Sequence, residues 1–167
     1  MEPEHRLWDL AVDGDRLLLV LDGASGVEVG TQLAWQMAEA NGKPVVIFLN
    51  KMDRENASYR RVIDELRSSF DATFVPMELP IRNGEAFEGL VDLITQKAHT
   101  GDGKPAAAPD GMADEIEEFR LELIEFAAEG DDALMEKYFE EETLTEEEIG
   151  QGIRAGLASR SLVPVFC

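Results

Sequence analysis

The sequence predicts an α/β protein: a partial parallel sheet with helices, joined to an inserted α+β part whose helices are acidic. Three observations carry that reading. Two short, wholly apolar runs suit strands buried on both faces, as in a parallel sheet. Segments with apolar residues at helical spacing lie between and after them. A hairpin signal and then a strongly acidic helical block follow.

Along the chain, Pro3 to Val12 read as a short helix, with Leu7, Trp8, Leu10 and Ala11 on its apolar side. Arg16 to Asp22 (Arg-Leu-Leu-Leu-Val-Leu-Asp) is the first buried strand and ends in Gly23-Ala24-Ser25-Gly26. Val29, Leu33, Met37 and Ala38 recur at helical spacing, and Asn41-Gly42 closes that helix. Pro44 to Asn50 is the second buried strand. Tyr59, Val62, Ile63, Leu66 and Phe70 mark the next helix, and Thr73 to Leu79 reads as a third strand. This alternation is the α/β pattern, with right-handed crossovers expected. Ile81 to His99, with Asn83-Gly84 as a turn signal, reads as short strands or a hairpin, and Thr100 to Met112 as a flexible loop. Ile116, Phe119, Leu123, Phe126 and Ala127 line one helix. Leu134, Met135, Tyr138 and Phe139 line a second, with Asp131 or Asp132 as its cap. Thr145 and Glu148 form a capping box that opens a third, carrying Ile149, Ile153 and Leu157. Ser161 to Cys167 is a last strand. Trp8 and Trp35 are expected in the core.

The chain has 167 residues, with 35 Asp+Glu against 15 Lys+Arg and a net charge of −20. That balance argues against DNA binding, which relies on cations that displace counterions from phosphate, and against docking on anionic lipid. Hydrophobic residues make up 44%, too many for a disordered acidic tail. No apolar run approaches a membrane span, and Met1 to Arg6 lack the pattern of a signal peptide. The single cysteine, Cys167, fits a reducing, cytoplasmic compartment. Residues 113–148 hold 16 acids and two bases, a net of −14. They read either as solvated helix faces or as a docking surface for a basic partner.

Asn50-Lys51-Met52-Asp53 stands at the end of the second apolar run, where parallel α/β sheets bind ligands. The Asn-Lys-x-Asp pattern reads guanine. Asp53 accepts hydrogen bonds from the ring and exocyclic N–H donors of guanine's Watson–Crick edge, whereas adenine presents an acceptor there. A site built for such donors rejects a base that lacks them. Asn50 serves the imidazole side of the base, and the stem of Lys51 lies over its plane. The alternative is a solvated strand-to-helix loop, since four residues match by chance in roughly a few per cent of chains this long. The sequence has no Gly-x-x-x-x-Gly-Lys-Ser/Thr phosphate loop and no Asp-x-x-Gly segment. GTP hydrolysis by this chain alone is therefore not expected. His5 and His99 are isolated. The glutamates at 140–142 and 146–148 lack the glycine-containing loop of a calcium site, so no metal site is expected. Cys167 reads as a buried strand thiol.

Beyond this motif the chain resembles elongation factor G and its close paralogues. The resemblance rests on Asp22 to Val29, on Asn50 to Arg54, on Leu79-Pro80-Ile81 with Phe87 to Ile94 and Lys97-Ala98, on Leu134 to Phe139 with Glu142 to Ile149, and on Val163 to Cys167. It covers about residues 14–167, in the family's order. It implies a central fragment of a P-loop GTPase-type domain: residues 1–79 as part of the GTP-binding core, 80–157 as an inserted subdomain, and 158–167 as a last core strand. It implies GTP or GDP as ligand, contacted here through Asn50, Lys51 and Asp53 at the base, with Mg expected only in the parent protein. It also implies work in ribosomal translocation, with the acidic helices of 113–148 meeting the basic ribosomal stalk protein. Residues 1–13 and the trimmed loop Thr100–Met112 depart from the family pattern and point to a paralogue. In this family the strand matching residues 16–22 pairs with the phosphate-loop strand, so here an exposed apolar edge and self-association through it are expected. Two other readings are a free-standing acidic protein-binding module and a fragment of a related release-factor or tetracycline-protection GTPase.

Overall fold

A computed structural model describes residues 15–83, 86–101 and 105–167. The helix expected over Pro3–Val12, with His5 and Trp8, lies outside them, as do Gly84 of the expected turn and residues 102–104. The elements in order are β1 (Leu17–Asp22), α1 (Val29–Ala40), β2 (Val45–Asn50), α2 (Tyr59–Ser69), β3 (Phe74–Pro76), β4 (Glu78–Asn83), β5 (Ala86–Asp92), β6 (Lys97–Thr100) and β7 (Pro105–Ala107). A 3-10 turn at Asp110–Met112 leads into α3 (Ala113–Glu129), α4 (Asp132–Glu141), α5 (Glu146–Ser159) and β8 (Val163–Phe166).

The apolar runs form a four-stranded parallel sheet of order β1-β2-β8-β3, and β4 to β7 form an antiparallel sheet in sequential order. This is the α/β class the sequence predicts. β1 and β2 pair in register from Leu17↔Val45 to Asp22↔Asn50, so both strands end level at their carboxyl ends. β8 lies inside the sheet although it contains Pro164. β2 pairs with β8 only from Val165 onward, so the missing N–H interrupts no ladder bond on that side. Ile47, Leu49, Leu66, Phe74 and Val165 are fully buried at the centre of the core.

Two helices present faces other than those their spacing suggests. In α1, Val29 and Leu33 are 71% and 51% exposed, while Ala34, Trp35, Met37 and Ala38 are buried. The reason is tertiary. Trp35 stacks on Phe70 with centroids 4.6 Å apart and lies 5.5 Å from Phe74, which turns the stripe through 34, 35 and 38 inward. Val29 and Leu33 are left beside β1, the sheet edge. In α4, Leu134 is buried but Phe139 is 77% exposed.

The segment Thr73–Leu79 is two strands rather than one. Met77 is the junction: its N–H donates to Val165 O at 2.9 Å in the parallel sheet, and its C=O accepts from Leu93 N at 3.0 Å in the antiparallel one. The expected loop Thr100–Met112 contains β7, an edge strand that opens with Pro105 opposite His99. Proline at the first residue of an edge strand costs no ladder bond, and alanines give no hydrophobic pattern to read. Elsewhere the caps are as expected. The Asp131 carboxylate accepts from Ala133 N and Leu134 N, and Thr145 and Glu148 form a reciprocal capping box. Among the described residues no helix is long and apolar enough to cross a membrane.

Candidate functional site

The level ends of β1 and β2 put Asp22 beside Asn50, and the site grows from that pair. The chain turns sharply after Asn50. Lys51 adopts a left-handed backbone (φ 59°), which costs about 1 kcal/mol for a residue with a Cβ. The Asn50 Oδ1 accepts from Lys51 N at 2.8 Å and holds the turn. Met52 is 4% exposed and pins the loop to the core. Gly23 makes room for it, since a Cβ there would sit 2.5 Å from Met52 Sδ. From the second sheet, Arg82 donates to Ala57 O and, at 3.2 Å, to Arg54 O. With Met52 beneath and Arg82 beside it, the loop leaves Asn50, Lys51 and Asp53 exposed on the rim.

The charges on that rim are arranged unequally. Asp22 Oδ2 accepts from Lys51 Nζ at 3.0 Å and from Arg54 Nη1 at 2.8 Å, while its Oδ1 accepts from Ala24 N at 2.9 Å. The hydrogen bond from Lys51, then that from Ala24 and the charge of Arg54, hold the Asp22 carboxyl down to about 2. Asp53 has no hydrogen bond or ion pair to any described residue. The turn after β1 is fastened to α2: Arg61 Nη2 donates to Ala24 O at 2.7 Å and its Nη1 to Glu65 Oε1 at 2.6 Å. Glu65 Oε2 in turn accepts from Val27 N at 3.1 Å.

The three residues singled out from sequence thus share one exposed loop at the carboxyl end of β2. The groove of about 610 Å³ along β1 and the start of α1 lies apart from them. Sequence reasoning missed Asp22 and Arg54 as parts of this rim. Pairing the two apolar runs in parallel, with their ends aligned, would have placed Asp22 next to the motif. Among the described residues no group of three His, Cys, Asp or Glu could hold a metal. Cys167 is half-buried, and burial pushes its thiol up to about 12.

Part of the acidic block is neutralised internally. Arg60 of α2 holds Glu118 with two bonds of 3.1 and 2.8 Å and lies over the Phe119 ring at 5.0 Å. Arg67 holds Glu122 at 2.7 Å, and Lys137 holds Glu148 at 2.7 Å. Glu117, Glu129, Asp132, Glu136, Glu140, Glu142, Glu146 and Glu147 have no ion pair to a described residue.

A family model described as the elongation factor Tu GTP binding domain matches residues 11–166. The fold is similar to the crystal structure of a protein from Thermus thermophilus, with a TM-score of 0.85 and 28% identity, covering 96% of this chain and 24% of that one. The chain thus spans about a quarter of that protein's length.

Proposed function

The chain belongs to the family of the elongation factor Tu GTP-binding domain, and on that premise we propose that it is the base-reading part of a translational GTPase of the elongation factor G kind. Asn50, Lys51 and Asp53 hold guanine in this reading, and GTP or GDP is the ligand. The observation that carries it is the Asp53 carboxylate, without a partner among the described residues, at the carboxyl end of a parallel strand. A carboxylate so placed fits paired N–H donors, which guanine supplies and adenine does not. The Asn50 Oδ1 is engaged with Lys51 N, so its amide N–H groups are left for the acceptors on the imidazole side of the base. The Lys51 stem, half exposed with its Nζ on Asp22, offers a shelf for the ring plane.

In this reading residues 1–79 and 158–167 belong to the GTP-binding core, and 80–157 form an insertion. The phosphates and magnesium are held by parts of a longer protein, and the chain alone reads the base without hydrolysing GTP. The parent acts in ribosomal translocation in the cytoplasm, and the unpaired acids of residues 113–148 dock the basic stalk protein. The exposed Phe139, amid Glu136, Glu140 and Glu142, offers that partner an apolar anchor.

The test is an NMR titration of the chain with GDP and with ADP, repeated on Asp53→Asn. Shifts at Asn50–Asp53 with GDP only, lost in the variant, are expected. Equal responses to both nucleotides would refute base recognition. The exposed Phe139 and its acids favour one other reading, a free-standing acidic binding module. It predicts salt-sensitive binding of a basic partner and no preference for GDP.

A further inference from the structure

Two cations, Lys51 and Arg54, flank Asp53 in sequence, and either could close an ion pair with it. Neither does. Both are bound to the same oxygen, Asp22 Oδ2, at 3.0 and 2.8 Å. Asp22 is the less mobile partner. Its side chain is 14% exposed against 49% for Lys51 and 53% for Arg54, and its other oxygen is tied to Ala24 N. Among the described residues, the carboxylate without a partner is therefore the one at the motif, and the one that is occupied is Asp22 on the neighbouring strand.

We propose that Asp22 is a positioning residue of the base site: it sequesters Lys51 and Arg54 so that the Asp53 carboxylate stays open to paired N–H donors of a purine of the guanine class. This rests on the base-reading function above and adds to it the residue that keeps the site receptive. Asp53 and Asp22 compete for the same two cations. Without the charge of Asp22, Arg54 turns to Asp53 and must be displaced before a base can bind. An exposed ion pair of this kind weakens a competing ligand by about two- to fivefold.

Asp22→Asn preserves an oxygen for Ala24 N and removes the charge. It is expected to weaken GDP, measured by NMR titration, by about two- to fivefold. The double variant Asp22→Asn/Arg54→Ala is expected to recover most of that loss. The recovery is the decisive readout, because removing a second ion-pair partner cannot repair a merely structural defect. Thermal unfolding of each variant is followed in parallel, and if Asp22→Asn does not fold, Asp22→Glu serves in its place, with GDP affinity retained as the expected result. A folded Asp22→Asn with unchanged GDP affinity, a loss that Arg54→Ala does not relieve, or a folded Asp22→Glu that loses GDP overturns the proposal and leaves the base-reading function standing. Equal binding of GDP and ADP by the unmodified chain overturns both.

Discussion

Replacing Gly152 by alanine sets two physical effects of opposite sign against each other. Gly152 lies inside α5, where alanine is favoured over glycine by about 1 kcal/mol through helix propensity alone. Packing says the reverse. A Cβ at Gly152 would lie 2.7 Å from the carbonyl carbon and 3.0 Å from the Cα of Ala127 on α3. Carbon pairs rest at about 3.5–4.0 Å, so α5 would have to withdraw from α3 by about 1 Å. The atoms that must yield are helix backbone, and Leu123, Ala127 and Ile149 around them are fully buried. Overpacking of this kind costs about 1–3 kcal/mol, so after the propensity gain the net expectation is a loss of up to about 2 kcal/mol. Two positions earlier, a Cβ on Gly150 would meet only the flexible end of Arg154, at 3.2 Å. Gly150→Ala should therefore stabilise by up to about 1 kcal/mol. Urea unfolding followed by far-UV circular dichroism gives both values, and at ordinary slopes the two midpoints should separate by about 1 M. A Gly152→Ala protein as stable as Gly150→Ala would refute the claim that α3 and α5 touch through their backbones.

Two further perturbations follow from the charges and the sheet edge. Glu148 is held down to about 2, chiefly by Lys137 and then by the Thr145 N–H and hydroxyl. A depressed carboxyl contributes stability that is complete above its unfolded value near 4.5 and is lost as pH falls toward 2. Glu148→Gln should flatten the acid limb of the stability curve between those values, and an unchanged limb would show that the pair with Lys137 does not persist. At the edge strand β1, Leu18 and Val20 are 59% and 57% exposed, with no charge or proline between Leu17 and Leu21. The chain should self-associate there, and Val20→Lys should return it to a single-chain mass in sedimentation. A single-chain mass for the unmodified protein at every concentration refutes this.

The strands of the parallel sheet were legible as uninterrupted apolar runs, Leu17–Leu21 and Val45–Leu49, but the expectation that β1 is buried on both faces did not hold: it is the sheet's edge, and Leu18 and Val20 face outward. The caps at Asp131 and Thr145 were legible because they are local, decided within four residues. The inward face of α1 was not. The stripe through Val29, Leu33 and Met37 has the right period, and only the stacking of Trp35 on Phe70, from another helix's end, shows which side turns in. The candidate site divides in the same way. Asn50, Lys51 and Asp53 stand together in sequence and could be picked out. Asp22 could not, because its relation to them passes through the register of two strands, and a sequence shows register only when the pairing is already known.

Met77 has a consequence for how the molecule comes apart. Its amide is committed to the parallel sheet and its carbonyl to the antiparallel one, one residue from β3 and one from β4. No slack backbone lies between the sheets at this point, and opening either one strips a hydrogen bond from the same residue. Units that share backbone bonds in this way open as one. The Met77 amide should therefore exchange with solvent at the rate of global unfolding.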